Sequence, residues 1–434
     1  MDKKLTKFLR TALEYSFYLF VFLLPWQTKL ILRPAAINFN EISLYAGQLL
    51  LLVILIIFFI RKIRRREADG KITALWVSLV AAEVFVLVSF FFAPDQILAF
   101  YHYVLILMGI GLFYLLREET TTDDAGGERC LDRFKIIYSF LASLFLQAIL
   151  GIYQFLSQSA PICKYLGLAG HDSNILGTAV VETASGRWLR AYGGLDHPNI
   201  FGGVLAIALI LVAYLLARKK IIRSVREVGE SIFLFVFYFV ALFALFFSFS
   251  RAAWLALVAG LLVLLITLII QKDRWILGRF LALMFFSVVM IMIVAVPYRD
   301  LIQTRLTGAG RLEQKSLVSR WQYLDESESL IREKGLFGGG IGNYSLILEK
   351  RDASAKNPWD YQPVHNVFLL LWAEAGIGAL LFFAAFLFCL IKKDRQAAYS
   401  AAVFTAVIIL MLFDHWLLSL PFGVLFLFLV LGLI

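Results

Sequence analysis

His365-Asn-Val-Phe-Leu-Leu-Leu-Trp-Ala-Glu-Ala-Gly-Ile-Gly-Ala-Leu-Leu-Phe-Phe-Ala-Ala-Phe-Leu-Phe-Cys-Leu390 decides what kind of chain this is. From Val367 to Leu390 only Glu374 is charged. About 20 such residues cross a hydrocarbon core of about 30 Å, so the run reads as a membrane helix. His365 and Asn366 stand where a polar loop enters that helix, and a titratable group there suggests chemistry more than packing. Upstream, Gly338-Gly-Gly-Ile-Gly-Asn343 reads as flexible backbone leading into the junction, because glycine permits φ > 0 and close backbone approach.

Working outward, apolar runs recur at approximately 12–32, 41–60, 72–93, 96–116, 134–157, 197–217, 231–249, 252–271, 275–297, 366–391, 397–413 and 417–434. The composition agrees, with 61% hydrophobic, 15% aromatic and 17% charged residues, far more apolar than a soluble domain. The expectation is an all-α polytopic membrane protein of about twelve transmembrane helices, a single integral domain over residues 1–434.

The net charge of +10 does not imply a nucleic-acid partner, because Lys and Arg fall in short clusters between apolar runs. Arg61 to Arg66, Arg117 to Lys135, Arg218 to Arg226, Lys272 to Arg279 and Lys392 to Arg395 alternate with connections poor in Lys and Arg. Positive-inside topology then places both termini in the cytoplasm. The basic N-terminus heads a run too long for a signal peptide and is expected to stay as the first helix. Cys130, Cys163 and Cys389 show no ligand spacing, so neither a disulfide nor a metal is expected.

Two connections on the outer face are long, 158–196 and 298–365, and loops of that length are usually functional. Within the second, Leu317, Trp321, Leu324 and Ile331 recur at near-helical spacing among charged residues, predicting an amphipathic helix over Ser316–Lys334. Gly335 would end it.

Candidate chemistry collects on that outer face. His365 is either a general base toward a hydroxyl or a polar residue at a helix start. Arg251, in Ser250-Arg-Ala-Ala-Trp254, is either an interfacial anchor or a phosphate ligand. Arg187 and Arg190, ahead of Ala191-Tyr-Gly-Gly-Leu-Asp-His-Pro-Asn199, raise the same choice, and Arg320 on the amphipathic helix is a fourth cation. Asp196 is the expected cap of the helix that Pro198 begins. Several arginines and a histidine at one membrane face suit an anionic substrate such as a lipid pyrophosphate. No Asp-x-Asp occurs, which disfavours a metal-dependent transferase, and Gly340-Ile-Gly-Asn343 lacks the lysine of a P-loop.

Assembled, these residues resemble the O-antigen ligase and O-antigen polymerase superfamily of bacterial membrane glycosyltransferases. The resemblance lies in Arg190 to Gly202, Ser250 to Trp254, Ser319-Arg-Trp-Gln322, Gly335 to Tyr344 and His365-Asn-Val-Phe-Leu369 with Glu374-Ala-Gly-Ile-Gly378. It implies a GT-C-type fold with the large loop in the periplasm. It also implies transfer of a glycan from undecaprenyl pyrophosphate to the lipid A core, a growing glycan or a protein, with no cofactor. Carried over, His365 becomes the base, Asn366 its motif partner, and Arg190, Arg251 and Arg320 the pyrophosphate ligands, with Arg187 beside them. Pro363 stands where many ligases carry a second histidine, which bears on the choice of ligase over polymerase. A lipid-linked saccharide transporter, binding pyrophosphate without reaction, is the reading from a different class.

Overall fold

The chain is described by a computed structural model over residues 3–65, 73–120, 130–219, 224–308, 310–351, 357–393 and 398–434. Arg66, Lys220, Arg223 and Arg395 of the basic connections, much of the Arg117 to Lys135 connection and residues 352–356 lie outside the described residues.

Long apolar runs make the helices. In order they are α1 (Lys3–Leu23), the strands β1 (Lys29–Arg33) and β2 (Ile42–Tyr45), α2 (Ala46–Arg65), α3 (Ala74–Phe90), α4 (Gln96–Thr120) and α5 (Arg133–Ser157). Short strands follow in the first long connection: β3 (Ser159–Ala160), β4 (His171–Asp172), β5 (Val180–Thr183) and β6 (Gly186–Leu189). Then come α6 (Pro198–Arg218), α7 (Val225–Ser248), α8 (Arg251–Gln271), α9 (Arg274–Ala295), α10 (Arg299–Thr307), α11 (Arg311–Lys334) and α12 (Tyr344–Arg351). The chain closes with α13 (Val367–Lys393), α14 (Ala398–Phe413), α15 (Trp416–Ser419) and α16 (Pro421–Leu433).

Among the described residues, 8 helical stretches are long and apolar enough to cross a membrane, and Ala74–Phe90, Ala398–Phe413 and Pro421–Leu433 are shorter apolar helices. The fold is mostly helical, and its strands form three antiparallel pairs rather than a closed sheet.

Four of the expected runs are divided differently, and the second opens as β2 before α2 begins at Ala46. The first helix ends at Leu23, ahead of Pro25, and Leu30-Ile31-Leu32 belongs to β1, which pairs with β2 through Leu30↔Leu44 and Ile31↔Ser43. Hydropathy counts an apolar strand and an apolar helix alike, which is why the run appeared to reach residue 32. The last run is split between α15 and α16 at Pro421, which has no N–H to donate and suits a helix start. The tenth is broken at Gly376 (φ 86°, ψ 171°).

The chain divides into two compact units. The first comprises Met1–Phe140, Arg320–Lys393 and Asp414–Leu433; in it α3 packs along α13, and α4 along α16. The second comprises Leu141–Ser319 and Asp394–Phe413, with Ile434. There α6 is central, packed by α7, α8, α9 and α14, and is buried along most of its length. Both units draw on separated parts of the chain.

Candidate active site

In the first unit the break at Gly376 makes Val367–Ala375 a helical segment of its own, and His365 stands just before it. Asn366 caps the segment, its Oδ1 accepting from the Leu369 N–H at 3.0 Å, which satisfies a first-turn donor that has no intrahelical acceptor. His365 is half-buried. Tyr323 of α11 stacks on its ring with centroids 5.6 Å apart and planes within 7°. His415 meets it edge to face at 5.0 Å.

Asp414 and His415 are buried just ahead of α15. One potential ligand atom from each of His365, Asp414 and His415 lies within 4.8 Å of the others. The Asp414 Oδ1 accepts from the His415 backbone N–H at 2.8 Å, and the His415 Nδ1 and Ser419 Oγ share a hydrogen bond of 2.7 Å. The ring of His415 also packs edge-on against Phe39 at 5.3 Å. Burial lowers the pKa of His365 to about 3; His415 and Arg320 push the same way, and Asp414 pushes against them. Burial lowers that of His415 as well. Both imidazoles are therefore neutral near pH 7, the form in which a histidine accepts a proton.

The glycine run beside this junction is a docked strap, not a flexible lead. Because Gly376 interrupts α13, the carbonyls of Ala373 and Glu374 lose their intrahelical donors and accept instead from the Gly339 and Gly340 N–H groups, each at 2.9 Å. The Glu374 carboxylate accepts from two further donors of the run, the Gly342 N–H at 2.9 Å and the Tyr344 N–H at 3.2 Å. Gly338, Gly340 and Gly342 have φ of 82°, 104° and 72°. A Cβ on Gly338 would lie 2.1 Å from the Glu374 carbonyl oxygen, so glycine is required by conformation and by space. Asn343 fastens the far end, accepting from the Asp95 N–H at 2.9 Å. Tyr344, Ile347 and Leu348 then enter a core with Leu330, Val364 and Leu370.

The second unit gathers arginines around the end of α7. After Ser248 the chain turns through Phe249 in the left-handed region (φ 48°), and Ser250 caps α8, accepting from the Ala253 N–H. The last carbonyls of α7 need donors from outside the helix. Ala191 N–H bonds to the Phe247 carbonyl at 3.0 Å, and the Arg190 Nε bonds to that of Ser248 at 2.7 Å. Arg305 gives both Nε and Nη2 to the Phe249 carbonyl, at 3.0 and 2.7 Å. Cations suit this end of the helix dipole.

Glu313 is buried in the same cluster, accepting from the Arg305 Nη1 at 2.5 Å and pairing with the Arg251 Nη2 at 3.5 Å. Burial opposes the charge of Arg190, and Arg305 and Arg251 oppose it further. A guanidinium stays protonated in proteins, so the cluster carries three cations beside the Glu313 carboxylate. The Arg251 side chain is 29% exposed against 9% for Arg305, which makes Arg251 the more accessible fork.

Of the residues singled out in the sequence, Arg190 and Arg251 thus fall in one cluster of the second unit, while His365, Asn366 and Arg320 fall in the first. Arg187 lies on β6 opposite Glu182 and reaches the Ile175 carbonyl at 3.5 Å. His197, not Asp196, caps α6, its Nδ1 accepting from the Asn199 N–H at 3.1 Å. The Asn199 Oδ1 accepts from the Arg190 Nη2 at 2.7 Å. Arg305, Glu313, Asp414 and His415 escaped the sequence reading.

Residues 235–384 match the family model described as O-antigen ligase. This stretch is similar to the O-antigen ligase family. The match supports the resemblance to the O-antigen ligase and polymerase superfamily read from the motifs. The matched stretch takes in Arg251, Arg305, Glu313, Arg320, the glycine strap and His365; Arg190 precedes it and Asp414 and His415 follow it. No curated protein matches the chain.

Proposed function

We propose that the protein transfers a glycan from undecaprenyl pyrophosphate to a hydroxyl of the lipid A core oligosaccharide, at the outer face of the bacterial inner membrane, with inversion and without a cofactor. The observation that carries this reading is the neutral, half-buried His365 at a capped helix start inside the stretch similar to O-antigen ligases.

In the reaction a ring nitrogen of His365 takes the proton of the acceptor hydroxyl as its oxygen attacks the anomeric carbon. The bond from that carbon to the phosphate oxygen breaks, and lipid pyrophosphate leaves with its electron pair. The imidazolium so formed has the Asp414 carboxylate nearby to favour it. Arg320, in the same unit as His365, is assigned to the negative charge that develops on the leaving pyrophosphate; Arg190 and Arg251, to which the resemblance gives the same task, gather with Arg305 in the second unit.

The test is a reconstituted transfer assay with purified protein, lipid-linked glycan and lipid A core. Wild type should consume donor and form a product whose anomeric configuration is inverted. Replacement of His365 by Gln should slow turnover by about 10²–10⁴-fold, the usual range for a general base. Donor that stays intact with wild-type protein would indicate a transporter, and retention of configuration would remove the single-displacement mechanism.

A further inference from the structure

We propose that His365, Asp414 and His415 form a binding site for one divalent transition-metal ion of the zinc type, and that the ion switches the transferase off. The proposal rests on the assignment of His365 as the base only for its second half; binding itself stands on the cluster.

The donor set is two imidazoles and a carboxylate, the combination that suits zinc and its neighbours rather than magnesium or calcium, which prefer oxygen alone. The three residues come from two places in the chain, and each offers an atom within 4.8 Å of the other two. Ligands about 2.0–2.1 Å from a tetrahedral ion stand roughly 3.4 Å apart, so closure of little more than an ångström completes the site. His365 is half-buried.

Two further observations point to a ligand. The His365 Nδ1 is buried without a hydrogen-bond partner, an expensive state for a ring nitrogen. The His415 Nδ1 is engaged with Ser419 Oγ at 2.7 Å, which orients the ring and leaves Nε2 as its ligating atom; metal-bound histidines are held in this way. The Asp414 Oδ1 accepts from the His415 N–H, which fixes the carboxylate beside the two rings.

Inhibition follows from the valence of imidazole. A neutral ring has one basic lone pair, and its other nitrogen carries a proton. An ion on either nitrogen of His365 therefore removes the lone pair that would accept the proton of the acceptor hydroxyl.

The experiment uses full-length protein in detergent, freed of metal by chelation, titrated with zinc alone by calorimetry and with Cu²⁺ by electron paramagnetic resonance. The expected results are one ion per chain and nitrogen superhyperfine structure from two imidazoles in the wild type. His415→Ala and Asp414→Asn should each weaken zinc by at least about 100-fold, and Ser419→Ala by about 10-fold. The copper spectrum needs no variant, so misfolding of a variant cannot decide the matter.

Absence of binding, a copper spectrum without imidazole nitrogen, or unchanged affinity in His415→Ala would overturn the site. In the transfer assay zinc should inhibit over the concentration range in which it binds, reversed by chelator. Binding without inhibition would keep the metal site and overturn the switch together with the role of His365 as base. Transfer that depends on His365 but no binding would overturn the metal site and leave the function standing.

Discussion

His365 is useful as a base only if its environment keeps it neutral and within reach of a hydroxyl. Burial lowers its pKa from the ordinary 6.5 to about 3, so in chelated buffer the acid limb of kcat/KM should fall below pH 6.5. His415 contributes to that lowering, so His415→Ala should move the limb back toward 6.5. A limb at or above 6.5 in wild type would mean that a different group carries the acidic pKa. The sign for stability is the same: a depressed histidine pKa means that the unfolded chain binds the proton first. The stability due to this burial is present above about pH 6.5 and is lost as pH falls toward 3. The sequence exposed His365 because it heads a long apolar run, and Arg251 because it interrupts one. Asp414 and His415 left a signal too, a polar pair between two apolar runs, in a connection that the same charge alternation assigns to the outer face with His365. Arg305 and Glu313 left none, because a cation and a carboxylate eight residues apart in a polar loop look like any solvated helix.

At the scale of elements, the strap around Glu374 depends on backbone conformations that only glycine adopts easily. Gly338→Ala places a methyl group 2.1 Å from the Glu374 carbonyl oxygen at φ 82°. It should cost more than about 1–2 kcal/mol, the left-handed penalty alone, read as a lowered midpoint of thermal unfolding in detergent. Gly278→Ala in α9, where a Cβ meets nothing within 4 Å, is the control. It should be neutral or stabilising by about 0.5–1 kcal/mol, as glycine is a poor helix residue. Equal midpoints for the two variants would show that the strap is loosely held. The glycines were legible as a motif, but their use was not. Their partners are carbonyls freed by the break at Gly376 and the carboxylate of Glu374, which in the sequence is only a charge inside an apolar run. The boundaries of the helices failed for a related reason. Apolar length was read correctly for most runs, whereas Pro25, Gly376 and Pro421 decide where backbone hydrogen bonding stops, and hydropathy does not weigh that.

For the whole molecule the testable matter is orientation, since the reaction proposed uses a donor presented at the outer face. The basic connections predict that Arg226 faces the cytoplasm and that the connection carrying Cys163 faces outward. Cys163 is partly exposed, and the Arg226 side chain is 87% exposed, so both positions can report. In spheroplasts, a variant that keeps only Cys163 should react with a membrane-impermeant maleimide at once. A cysteine-free variant carrying Arg226→Cys should react only after permeabilisation. The opposite pattern would invert the topology and place His365 on the cytoplasmic side. The donor would then have to be reached before its export, and transfer to lipid A core at the outer face would no longer be tenable. Labelling of both positions in sealed spheroplasts would instead break the alternation between them, which rests on α6 crossing the membrane; its length of 21 residues and its apolar composition argue that it does.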